Sequence, residues 1–89
     1  MTHGFPVGLA VVSREDCGLC ERMFEDLAEL AGQLLLPPLA TIDLESDPQL
    51  LQRFVLEVPV LLLDGDVVCY GHLDRELLKK RLAERRTPG

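Results

Sequence analysis

Tryptophan is absent from this 89-residue chain, tyrosine occurs once and phenylalanine three times. Tyr70 and the phenylalanines are too scattered to form a platform for stacking bases, so they are read as packing residues. Cations are scarce too: nine Lys and Arg stand against fifteen Asp and Glu, for a net charge of -6. Phosphate binding needs a basic stripe, which excludes nucleic acid as a partner. The one cationic cluster, Lys79, Lys80, Arg81, Arg85 and Arg86, falls in the last turns of a candidate helix. Cations there complement the negative helix end. No apolar run reaches the roughly 18 residues of a membrane span. The N-terminal stretch Met1-Thr2-His3-Gly4-Phe5-Pro6 has neither a basic segment nor a long apolar one, and His3 carries no signal there. Three cysteines cannot build a disulfide scaffold, and a secreted domain of this size would usually carry more. The expected setting is therefore a reducing cytoplasm, where a close cysteine pair is more often catalytic or metal-binding than structural.

What is present reads as an ordinary globular chain, 47% hydrophobic and 27% charged. Its length allows one domain, 1-89, with a core over about residues 9-85 and modest stability. There is no internal repeat and no low-complexity segment. Leu9 to Val12 is a short apolar run and a candidate buried strand. From Cys20 the apolar positions Met23, Phe24, Leu27, Leu30, Ala31 and Leu34 follow at steps of three and four, which predicts one face of a helix. Glu21, Glu25 and Glu29 form its solvated opposite face, and Pro37-Pro38 ends the helical region. A second strand is expected from Leu39 to Leu44. Asp47 as N-cap and Pro48 at the first helical position open a short helix to about Phe54. Val60 to Leu63 is apolar throughout, as in a strand buried on both faces. Asp64-Gly65 then predicts a hairpin turn into a strand from Val67 to Tyr70. Asp74 caps a last helix reaching about Arg85, with Leu77, Leu78 and Leu82 as its apolar positions, and residues 87–89 are expected to fray.

Cys17-Gly18-Leu19-Cys20 lies between the first strand and the first helix. A thiol at a helix N-terminus meets unpaired amides and the positive end of the macrodipole, which favour thiolate. Helical phase sets Cys17 at the exposed tip and Cys20 on the inward face. If the pair is redox-active, Cys17 is thus the expected attacking thiol and Cys20 the resolving one. Gly18 helps the chain bend into the helix, and Leu19 offers an apolar surface. Glu15 and Asp16 oppose ionisation of Cys17, so its pKa is expected only modestly below the free value of about 8.5. Metal binding needs four ligands and only two close thiols are present. Cys69 reads as a small core residue and His72 as an exposed loop histidine.

The element order β-α-β-α-β-β-α, with Arg14 and Cys17/Cys20 after the first strand, Val58-Pro59 before the third and Gly71 with Asp74 after the fourth, resembles the glutaredoxin-like proteins of the thioredoxin-fold superfamily. That resemblance covers about residues 9 to 85. It implies an α/β three-layer sandwich around a mixed four-stranded sheet, and a monomeric thiol-disulfide oxidoreductase acting on a disulfide-containing protein or small thiol. It implies a cis Pro59, with the Val58 backbone offered to an incoming peptide as a strand-like partner. It also implies substrate or glutathione contacts at Arg14, Leu19, Val58, Pro59, Gly71 and Asp74, with no cofactor bound and glutathione as a co-substrate. Arg14 would favour the thiolate and pair with a glutathione carboxylate. The chain departs from the family pattern at Glu57, where threonine is common. It departs again at Gly71-His72-Leu73-Asp74-Arg75, which lacks the second glycine and second aspartate of the glutaredoxin segment. Leu19 replaces the aromatic residue common inside the motif. Two other readings stand beside this one. One is a non-catalytic peptide-binding module with a switchable disulfide, and the other a metal or iron–sulfur site shared by two chains.

Overall fold

Apolar residues at every position predict strands covered on both faces, and β1 (Leu9–Ser13) and β3 (Val60–Leu63) are buried along their whole lengths. They pair antiparallel at the centre of a four-stranded sheet of order β2-β1-β3-β4. β2 (Leu39–Asp43) runs parallel to β1, and β4 (Asp66–Tyr70) antiparallel to β3. The computed structural model describes residues 5–85; His3, Arg86 and residues 87–89 lie outside them. Alternation along the central strands feeds two cores. Leu9, Val11, Leu61 and Leu63 pack with Met23, Leu27 and Leu30 of helix α1 (Gly18–Ala31) and Leu78 of helix α3 (Arg75–Glu84). On the other face Ala10, Val12, Val60 and Leu62 pack with Leu44 and with Phe54 of helix α2 (Pro48–Phe54). Element order and sheet are those of the expected thioredoxin-like fold.

Local chemistry explains most boundaries. Asp47 accepts the Gln49 N–H at 2.8 Å and Pro48 opens α2; Asp74 accepts the Leu77 N–H at 3.0 Å and opens α3. α1 stops earlier than its apolar spacing predicts, at Ala31 rather than near Pro37-Pro38. The Gly32 N–H turns to the Glu29 carbonyl and the Gln33 N–H to that of Leu30, the tighter pattern of a closing turn. Glycine also costs a helix about 1 kcal/mol relative to alanine. Leu34 still packs on the α1 core, from outside the helix. β2 ends at Asp43, because its carboxylate accepts the Glu45 N–H at 2.9 Å and caps a 3₁₀ turn over Leu44–Ser46. β4 contains a bulge: Val67 pairs with Leu62 and Cys69 with Leu61, leaving Val68 between them. Glu21, Glu25 and Glu29 are exposed as expected, although Glu29 pairs with Arg75.

The Asp64-Gly65 turn has φ values of 52° and 87°, the mirror-image turn that matches hairpin twist. Asp64 also ties the turn to two other segments. It accepts the Gly8 N–H at 2.7 Å, and Arg85 at the end of α3 reaches its two oxygens at 2.8 and 3.0 Å. The Gly8 hydrogen bond foremost, and after it the Arg85 guanidinium, hold this carboxyl below its ordinary range against burial, which ranks second and acts the other way. Such a group stabilises the fold fully above its unfolded pKa of about 3.9 and loses that contribution as pH falls through the lower folded value. Asp64→Asn keeps a turn-compatible residue and is expected to lose less stability than wild type below about pH 4. The difference is small, because the pair is about one-third exposed. Urea midpoints measured against pH test it, and parallel profiles would remove Asp64 from the acid response.

Candidate active site

Strand register gathers the site. Val12 pairs with Val60, Val60 with Tyr70, and Ser13 with Asp43. The ends of β1, β2 and β4 and the start of β3 therefore lie at one end of the sheet. Residues 14–17, residues 44–46, Val58-Pro59 and Gly71 all adjoin those strand ends.

Cys17 is the N-cap of α1, with extended backbone (φ -118°, ψ 104°) and its Sγ accepting the Cys20 N–H at 3.2 Å. Asp16, just before it, has φ 53°, a left-handed conformation that aspartate enters more readily than most residues. That bend carries the chain from the sheet into the helix. Cys17 is half-buried, whereas Cys20 is 2% exposed on the stripe that continues through Met23 and Leu27. Their Cα atoms are 5.2 Å apart and a disulfide joins them. Leu19 between them is 45% exposed.

The Val58-Pro59 peptide bond is cis. The Pro59 carbonyl accepts the Gly71 N–H at 2.8 Å, which brings two of the sequence-predicted residues together. Gly71 holds φ at 79°, a backbone region that side-chain-bearing residues disfavour. Val58 is half-buried against the α2 core. Asp74 spends one carboxylate oxygen on capping α3. Arg75 lies 3.3 Å from Asp26 and 3.1 Å from Glu29, fastening the start of α3 to α1.

A cleft of about 540 Å³ opens beside Cys17, lined by Arg14, Glu15, Asp16, Cys17, Asp43 and Glu45. Asp43 and Glu45 were not singled out from the sequence. Their signal was the βαβ order, since parallel neighbours end on the same side and whatever follows β2 must flank whatever follows β1. Cys69 lies elsewhere, in a cleft of about 790 Å³ between β4 and the start of α3, with His72, Asp74 and Leu77. It is half-buried at the core margin rather than a plain core residue, because the bulge sets it beside the open start of α3. Burial pushes its thiol up, outweighing the Asp74 N–H that favours the thiolate. His72 is exposed. Among the described residues no three His, Cys, Asp or Glu side chains converge to hold a metal ion, and no helix is long and apolar enough to cross a membrane.

Residues 8–83 match the family described as Glutaredoxin-like domain (DUF836). The uncharacterized protein Rv0508 of Mycobacterium tuberculosis is 33% identical over 78 residues, spanning 82% of this chain and 79% of that one. The solution structure of protein Ne2328 from Nitrosomonas europaea superposes with a TM-score of 0.76 at 26% identity, covering 91% of this chain and 96% of the other. Thioredoxin of Fasciola hepatica, at 14% identity, shares the fold alone, with a TM-score of 0.53 over 88% of this chain and 79% of its own. With its paired Cys17 and Cys20 at the sheet end, this chain belongs to the glutaredoxin-like domain family.

Proposed function

We propose that this protein is a thiol-disulfide oxidoreductase in which Cys17 attacks and Cys20 resolves. The observation that carries the reading is the asymmetry of the pair: a half-buried helix-capping sulfur joined to a buried one. In the reduced protein the amides at the start of α1 and the helix dipole favour the Cys17 thiolate. That thiolate attacks one sulfur of a substrate disulfide and displaces the other as a thiolate. Cys20 then attacks the mixed disulfide at Cys17, releases the second substrate thiol, and leaves Cys17–Cys20 oxidised. Two electrons pass from the protein dithiol to the substrate, and its two protons end on the released thiols. The exposed Leu19 and the Val58 backbone are the surfaces proposed to seat the substrate beside Cys17. Glutathione or a thioredoxin-type reductase would restore the dithiol.

The test is a trap. Cys20→Ser removes the resolving thiol, so incubation with a disulfide substrate is expected to leave a stable adduct on Cys17. Intact-mass and peptide mass spectrometry would show a dithiothreitol-reversible gain there. Absence of an adduct, or an adduct on Cys69 in preference to Cys17, would favour a binding module with an inert disulfide.

A further inference from the structure

We propose that the cleft beside Cys17 selects disulfides embedded in basic polypeptide, with Lys or Arg next to the half-cystines, over anionic disulfides such as oxidised glutathione. This deepens the oxidoreductase reading and rests on it. Four of the residues lining the cleft are carboxylates, Glu15, Asp16, Asp43 and Glu45, and Arg14 is the single cation among them. All five are exposed, and none forms an ion pair with a described residue. Elsewhere Arg75 bridges Asp26 and Glu29 and Arg85 grips Asp64, while other exposed carboxylates such as Glu21, Glu25 and Asp66 form no ion pair with a described residue. What sets the cleft apart is that four carboxylates and a single cation share one wall with the attacking sulfur. No three such groups converge on one point among the described residues. A cationic segment entering this cleft meets opposite charge on both sides, from the loop after β1 and from the turn after β2. An anionic disulfide meets net repulsion on the same path.

The chemistry is the exchange already written, so no further reactant is needed: one disulfide is reduced to two thiols as the protein dithiol becomes Cys17–Cys20. A single-turnover assay therefore suffices, with protein reduced by dithiothreitol and freed of it. Two peptides of one backbone length, each a disulfide-linked pair, are compared, one with lysines and one with glutamates flanking the half-cystine. At low ionic strength the lysine peptide is expected to react about tenfold faster or more. That ratio should collapse as salt rises from about 0.01 M to about 1 M and the screening length shrinks from about 30 Å to about 3 Å. Glu15→Gln with Glu45→Gln changes two exposed side chains and is expected to lower the ratio several-fold. Any change in Cys17 ionisation affects both peptides alike and cancels in that ratio. Equal rates for the two peptides, or a ratio that the double variant leaves unchanged, would overturn the charge selection while leaving the oxidoreductase intact. No reaction with either peptide would overturn both.

Discussion

Cys17→Ser is expected to lower disulfide reduction by about a thousandfold or more, to the background of the assay, as loss of a covalent nucleophile does. Cys69→Ser, by contrast, is expected to stay within about twofold of wild type. The two thiols differ in their surroundings. Cys17 caps a helix, where backbone amides and the dipole stabilise a thiolate. Cys69 lies half-buried at a core margin, and burial raises its thiol. A hydroxyl in place of the Cys17 sulfur keeps the capping geometry, because serine is among the preferred N-cap residues. The variant should therefore remain folded, and its circular dichroism should match wild type. Initial rates with a disulfide substrate, using glutathione and then a thioredoxin-type reductase as donor, make the measurement. Similar losses from both serine variants would sink the assignment of Cys17.

Phe54→Ala is expected to cost about 3–5 kcal/mol. Phe54 is 2% exposed and is the large side chain of the core between sheet and α2. Its fully buried neighbours there are short, Ala10, Val12, Val60 and Leu62 from the strands and Leu44 beside the helix, with Phe5, Ile42 and Leu50 packed at the margin. Truncation removes the buried area of a phenyl ring and leaves space that the short neighbours do not fill, so transfer and cavity costs add. Arg53 lies 4.6 Å from the ring centroid and loses its cation–π partner too. At about 4 °C or more per kcal/mol for a domain of this size, the melting temperature should fall by well over about 10 °C. Phe54→Leu keeps much of the volume and should lose considerably less. Thermal unfolding of the three proteins decides it, and an alanine variant within about 1 kcal/mol of wild type would show that α2 collapses onto the sheet unaided.

Much of this fold is legible in the chain because its signals are local. Asp47-Pro48 and Asp74 place two helix starts within a residue, since a cap acts through a hydrogen bond to an amide two or three positions on. Asp64-Gly65 places the hairpin, since both residues tolerate positive φ. The burial of Cys20 follows from helical phase alone, whereas Cys17, expected at an exposed tip, is half-buried. The errors are equally instructive. The apolar spacing to Leu34 is correct about packing except at Ala31, which is exposed, and wrong about helix, because Gly32 closes the turn while Leu34 still packs on the core. Cys69 follows a bulge at Val68, and a bulge is defined by what the partner strand does rather than by the bulged residues themselves.

The disulfide pair, its unequal burial and the caps around it are properties of residues three or four positions apart, and the 3.6-residue helical period converts such spacing directly into geometry. The character of the cleft is different. Asp43 and Glu45 reach the side of Cys17 only because β2 pairs parallel with β1. Gly71 meets Pro59 only because β4 pairs with β3. Arg75 is taken up by α1 rather than left free at the sheet end. These are contacts between distant segments, chosen by which apolar faces bury together. Cysteine spacing therefore places the disulfide, and tertiary packing sets the charge of the cleft beside it.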